Sequence, residues 1–297
     1  MSAYEDYETV SRCYDKFRHP IGAETELSAL CALGKPLQEL HIADIGCGTG
    51  NYTKYFLDNG VGKVSIFDAS EGMLNCARVK VADYIAGGRV PHCQLLQLPN
   101  SIPGSAQYDA IFMNYVLHHF GCPEDNTATE TFPKATAALR NVYEALRKGG
   151  YFIMSTSLRP QRDHCVWYHA LIDDLDDLFK DPIMDLAFGG EYNTVERALT
   201  AIGFSSMKAI VPLHEIVMKP EHYYNMDAAF DPEFLLSDST FTLVRQRDKE
   251  TGDNGIKTFH QRVRALKERN EADAFMEKRE VLRKTYGCAT VIIAQKP

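Results

Sequence analysis

The stretch His41-Ile42-Ala43-Asp44-Ile45-Gly46-Cys47-Gly48-Thr49-Gly50-Asn51 restricts the fold of this chain more than any other. An apolar run with strand character leads to Asp44. Gly46, Gly48 and Gly50 then alternate with other residues, and a helical pattern starts at Asn51. Glycines in such a turn admit left-handed backbone and let a ligand approach the main chain closely. The free N–H groups at the start of the following helix face the same point. The unit reads as a cradle for a nucleoside. A dinucleotide fingerprint needs G-x-G-x-x-G, and Asn51 or Thr53 stands at the last glycine position, depending on the frame. A second apolar run, Val64-Ser65-Ile66-Phe67, ends in Asp68, 18 residues beyond Gly50. That is about the spacing at which a carboxylate reaches ribose hydroxyls.

Apolar periodicity extends the pattern. Strands are expected at 40–44, 64–68, 92–96, 108–114, 151–156, 207–211 and 290–294. Residues Ala3, Tyr7, Val10, Tyr14 and Phe17 fall on one face of an N-terminal helix that Pro20 stops. Further helices are expected at 23–33, after the glycine turn as far as Gly60, from an N-cap at Ser70 through Met73, Ala77, Val81 and Tyr84, at 132–147 with Gly149-Gly150 as its stop, and at 195–202. Strands alternating with helices imply a doubly wound parallel sheet. Two segments are too long for simple connections: 158–192 and 220–286. In the first, Leu171, Ile172, Leu175, Leu178 and Phe179 form an apolar stripe opposite Asp173, Asp174, Asp176 and Asp177, the pattern of an amphipathic helix.

On D-I-G-C-G-T-G at 44–50, the acid at Asp68 and V-L-H-H-F at 116–120, the chain resembles the small-molecule branch of the class I S-adenosylmethionine-dependent methyltransferases. The resemblance implies a seven-stranded, mainly parallel Rossmann-like sheet in one domain over 1–297. Residues 1–36 would form a helical cap, 37–157 the cofactor-binding core, and 158–192 with 220–286 lid insertions that shape a substrate pocket. It also implies S-adenosyl-L-methionine as cofactor. Asp44, Gly46, Cys47, Gly48 and Gly50 would serve its amino-acid end and Asp68 its ribose. Ala69 and Met73 would pack on adenine. The Asn114 carbonyl would take the cofactor amine, with Tyr115 and Val116 beside it. Where the family often has an acid reading the adenine amino group, this chain has Gln94 followed by Leu95; the carboxamide oxygen of Gln94 can accept the same bond.

The acceptor side is thinner in signal. His118 and His119 follow the fourth strand, at the sheet edge where doubly wound folds place their sites, and a histidine there suits a general base. Related enzymes carry an N-terminal tyrosine over the methyl, and Tyr14 holds that place, with Arg18 one turn on as a substrate contact. Trp167 and Tyr168 form an aromatic pair that suits a cationic or thioether substrate. His118, His119 and Cys122 are too crowded on neighbouring positions to share a metal, so no metal is expected.

A net charge of −8 argues against a nucleic-acid substrate. The eight cysteines are scattered and no apolar run of membrane-spanning length occurs, so a cytosolic protein with reduced thiols and no membrane partner is expected. The acceptor is expected to be a small molecule with an N, O or S nucleophile. The run Asp68-Ala69-Ser70-Glu71-Gly72-Met73 keeps open a quinone-type C- or O-methyltransferase, and an intact cradle alone keeps open a regulatory protein that binds the cofactor without turnover.

Overall fold

A computed structural model describes residues 7–120, 133–178 and 192–297. Seven strands form one sheet: β1 (His41–Ile45), β2 (Lys63–Asp68), β3 (Cys93–Leu95), β4 (Tyr108–Phe112), β5 (Leu146–Thr156), β6 (Ser205–Ile210) and β7 (Thr290–Gln295), in the order β3-β2-β1-β4-β5-β7-β6. The pairs β1–β2, β1–β4, β2–β3 and β4–β5 are parallel. β7 inserts antiparallel between β5 and β6, the one departure from the all-parallel pattern that alternation alone suggests. The order reverses between β1 and β4, and this is the crevice where a doubly wound sheet binds its ligand.

Alternate side chains go to opposite layers. Ala43, Ile111, Phe152 and Met154 pack with Leu139, Val142, Leu199 and Phe204 on one face. Ile42, Ala110, Phe112 and Ile153 pack with Phe56, Leu57, Leu74 and Ala77 on the other. All five residues of β4 are buried, which explains its unbroken apolar run. A third core stands apart from the sheet. Phe17 from the N-terminal segment meets Trp167, Tyr168, Tyr223, Phe234, Phe241 and Phe259 from the two long segments.

Several local expectations change. The single N-terminal helix is two short ones, Tyr7–Val10 and Tyr14–Phe17. The first packs on the helix Glu71–Lys80 while Phe17 enters the third core, so the two turns answer to different partners; Ala3 lies outside the described residues. The helix capped by Ser70 divides at Val81 into Glu71–Lys80 and Ala82–Ala86. The helix Pro133–Ala145 stops before Gly149-Gly150, because Leu146 already pairs with Tyr108 and begins β5. The amphipathic helix expected over 171–179 is a 3₁₀ turn, Trp167–Leu171, and a short helix, Leu175–Leu178. Arg262 donates to the Leu171 carbonyl and the Asp173 carboxylate, and Arg247 to the Asp173 carbonyl. These side chains take the groups a continuous helix would need. Phe179 lies outside the described residues. Among the described residues, no helix is long and apolar enough to cross a membrane.

Candidate active site

The glycine turn leaves β1 and enters the helix Asn51–Asp58. Gly46 (φ +73°) leaves room for Val116: a Cβ there would stand 2.4 Å from Val116 Cγ2. Gly48 (φ +54°) has the opposite surroundings, with nothing within 4 Å of an added Cβ, because it faces open space. The N–H groups of Gly46 and Cys47 donate to the Phe67 carbonyl at 2.7 and 3.0 Å. Gly48 N–H donates to Asp68 Oδ2 at 2.8 Å and Ser70 N–H to Asp68 Oδ1 at 2.9 Å. Asp68 thus couples the turns after β1 and β2. Ser70 caps the next helix by accepting from Met73 N–H at 3.2 Å.

These turns open onto a cavity of about 1050 Å³. Gly46, Cys47, Gly48, Asp68, Ala69, Met73, Asn114, Tyr115 and Val116 line it, as do Tyr14, Arg18, His118 and His119. Six expected site residues do not. Asp44 lies beneath the floor, 1% exposed, and accepts from Thr53 Oγ1 at 2.6 Å. Burial pushes its carboxyl up to about 7. Gly50 caps the helix and backs onto Ala77. Gln94 and Leu95 are exposed and outside the cavity; Leu96 to Asn100, just beyond β3, form that wall instead. The cavity lining on this side therefore begins at Leu96, one position beyond Leu95. Trp167 and Tyr168 are fully buried in the third core. Trp167 stacks on Phe259, and Tyr168 donates its hydroxyl to Asp238 Oδ2.

Cys122, weighed with His118 and His119 as a metal cluster, lies outside the described residues, and no group of three or more ligating side chains is gathered among the described ones.

The far wall comes from three distant segments: Tyr7, Tyr14, Arg18 and His19; Arg162, Val166 and His169; and Val217 with Ser237, Asp238, Ser239 and Thr240. Polar ties join them. Arg18 donates to Asp238 Oδ2 at 2.7 Å and to the Ser237 carbonyl. Although burial opposes ionisation, the Arg18 guanidinium holds the Asp238 carboxyl well below the usual range. His169 bonds the Arg162 carbonyl at 2.7 Å and Thr240 Oγ1 at 2.9 Å. His119 Nε2 shares a 2.7 Å hydrogen bond with Tyr7 Oη, and the His118 and His119 rings lie 3.7 Å apart. Burial pulls His119 down to about 3 and His118 well below the ordinary histidine range. The titration near physiological pH expected of them is displaced, and both imidazoles are neutral there.

A strap crosses the cavity rim. Asp15 accepts from Thr49 Oγ1 at 2.6 Å and Asn51 Nδ2 at 3.0 Å, and pairs with Lys80 at 2.7 Å. Periodicity marked Tyr14 but nothing marked Asp15, since its partners are fixed by the sheet rather than by its own helix.

Residues 43–152 match the family model for a methyltransferase domain. Among solved structures, phosphoethanolamine N-methyltransferase 2 of Haemonchus contortus, in complex with phosphomonomethylethanolamine and S-adenosylhomocysteine, aligns with a TM-score of 0.56 at 14% identity, over 100% of this chain and 61% of that one. A structure of the same enzyme with S-adenosyl-L-methionine gives 0.52 at 16% identity, over 98% and 57%. This chain therefore spans about three fifths of the length of these relatives, and the likeness is one of fold. No curated protein matches the sequence.

Proposed function

We propose that this chain, whose residues 43–152 match the family model for a methyltransferase domain and lie on a doubly wound sheet, transfers a methyl group from S-adenosyl-L-methionine to a small molecule enclosed beside it. The observation that carries this reading is a cavity of about 1050 Å³, lined both by the glycine turn with Asp68 and by Tyr7, Tyr14, His118, His119 and His169. Its volume is at the upper end for small-ligand sites, about 300–1,000 Å³, enough for a cofactor with a modest acceptor. Open space beside the histidines weighs against a cofactor-binding regulator with a blocked acceptor side.

The cradle fits the cofactor: Gly48 leaves room where a side chain would stand, and Asp68 lines the cavity with its carboxylate fixed by the Gly48 and Ser70 N–H groups. When bound, S-adenosyl-L-methionine supplies an electrophilic methyl on a sulfonium. The chain's own part is placement. Gly46, Cys47 and Gly48 line the amino-acid end with backbone. Asp68 accepts from the ribose hydroxyls. Ala69 and Met73 with Leu96 to Leu98 enclose the adenine, and the Asn114 carbonyl accepts from the amine. Asp44 supports this from below by fixing Thr53 in the first helical turn. Holding nucleophile and methyl in line can be worth effective molarities of about 10⁵–10⁸ M. His118 and His119, neutral at physiological pH, are hydrogen-bond partners for an acceptor; base strength falls with pKa, so His119 at about 3 is a weak base.

Titration calorimetry with S-adenosylhomocysteine and with NAD tests the reading. Binding of the first alone is expected. Binding of NAD without S-adenosylhomocysteine overturns it.

A further inference from the structure

Beneath Asn114 lies a carboxyl group with no part in the mechanism above. Glu26 belongs to the helix Ala23–Cys31, is 0% exposed and does not line the cavity. Burying a carboxyl group costs several kcal/mol unless its oxygens are bonded. Packing alone would be served better by leucine.

Both oxygens are engaged, and both bonds lead toward the cavity wall. Asn114 Nδ2 donates to Glu26 Oε2 at 3.1 Å, and Ser155 Oγ donates to Glu26 Oε1 at 2.6 Å. Ser155 N–H donates to Asn114 Oδ1 at 2.8 Å. The Asn114 side chain is thus held at both ends and turned into the protein. The main chain on either side is fixed as well: Met113 N–H donates to the Ile153 carbonyl and Tyr115 N–H to the Ser155 carbonyl. Tyr115 then takes φ +54° and bends the chain off the sheet. Among the described residues, no main-chain N–H donates to the Asn114 carbonyl. The helix carrying Glu26 is seated for this contact. It starts at Gly22 (φ +84°), where a Cβ would stand 2.9 Å from Val291 Cγ2 and 3.0 Å from Ser155 Oγ.

We infer that Glu26 is a positioning residue for cofactor binding: it anchors the Asn114 carboxamide so that the Asn114 main-chain carbonyl is presented to the cofactor amine. This rests on the proposed placement of that amine. Burial pushes the Glu26 carboxyl up to about 8, against the Ser155 and Asn114 bonds that favour ionisation; Asp44 on β1 and Glu215 in the loop after β6 add to the rise, and the Tyr52 hydroxyl faces it from the helix Asn51–Asp58.

The inference is tested by comparing two ligands that differ at the amine. S-adenosylhomocysteine carries the amino-acid end and 5′-methylthioadenosine lacks it. Dissociation constants are measured by calorimetry at pH 7 for the parent protein, Glu26→Gln, Glu26→Leu and Ser155→Ala. Glutamine can accept from Asn114 Nδ2 and donate to Ser155 Oγ, so Glu26→Gln is expected to bind both ligands within about threefold of the parent, less than one hydrogen bond is worth. Glu26→Leu is expected to weaken S-adenosylhomocysteine about tenfold, the scale of one lost hydrogen bond, and to leave 5′-methylthioadenosine unchanged. Ser155→Ala removes one tether and is expected to show a smaller loss with the same selectivity, which decides the matter if Glu26→Leu fails to fold. Equal weakening of both ligands, or of neither, overturns the inference while the proposed function stands. A parent protein that binds neither ligand overturns both.

Discussion

The two walls of the cavity are made in different ways. The wall along the sheet is formed by short turns at the ends of β1, β2, β3 and β4, whose positions follow from strand pairing and whose backbone is bonded across the turns. The opposite wall comes from segments as far apart as Tyr7, His169 and Thr240. It has no strand beneath it. Its own aromatic core and a set of polar ties hold it: Arg18 to Asp238, Lys16 to Asp231 and Glu233, Lys219 Nζ to the Asp15 carbonyl, and Asp15 to Lys80. A wall built from backbone turns serves a constant ligand, and a wall built from side chains can be altered without unpairing a strand. The comparison therefore predicts that damage to one wall leaves the other intact.

The largest effect is expected at Trp167. Removing this fully buried ring costs about 3–5 kcal/mol, read as a fall in Tm. S-adenosylhomocysteine should still bind below the transition, because the sheet wall does not depend on that core. Loss of all cofactor binding in folded Trp167→Ala would break the comparison.

Next comes Asp68→Ala. A hydrogen bond to a charged group is worth about 1.5–3 kcal/mol, so cofactor affinity should fall roughly 10- to 150-fold while acceptor-side protection in hydrogen exchange is unchanged. Parent-like affinity would show that the ribose lies elsewhere.

A smaller effect concerns pH. Asp44 rises from 3.8 to about 7 and Glu26 from 4.5 to about 8 on folding, so the folded protein binds more protons than the unfolded chain between those values. Their contribution to stability is full below about pH 4 and is lost as pH rises to 8. The depressed histidines His41, His118, His119, His169 and His260 work in the opposite direction, but only below their ordinary value of 6.5. Above 6.5 the carboxyls outweigh these histidines. The Tm of the ligand-free protein should fall between pH 6.5 and 8.5, by ~2–4 °C for each kcal/mol lost, and Glu26→Gln should flatten the fall. A rising Tm across that window contradicts the burial of these groups as neutral acids.

The smallest effect is expected at the histidines. Burial keeps both neutral, so His118→Gln and His119→Gln should each lower the methylation rate less than about tenfold and leave its pH profile without a histidine limb. A loss of about 10²–10⁴-fold confined to one variant, with the acidic limb removed, would instead make that histidine the base and the acceptor a hydroxyl or an amine.

The sheet wall was legible because its signals are local. Gly46, Gly48 and Asp68 announce their place along the cavity within a few residues of a strand end, where alternating burial and turn chemistry act over short range. Gln94 and Leu95 were misplaced because β3 is only three residues long and too weakly patterned to fix its own end. Trp167 and Tyr168 were read as substrate contacts because an aromatic pair has the same signature in a pocket and in a core.

By itself the chain determined the order of strands and helices, the glycine cradle and the acid at the end of β2, since each depends on residues close together in sequence. Only the tertiary structure decided that Asp44 and Glu26 lie beneath the cavity, that β7 runs antiparallel, and that Arg18 meets Asp238 across 220 residues. Those outcomes depend on which distant groups burial brings within hydrogen-bond reach, and a buried charge leaves no periodic mark on the sequence around it.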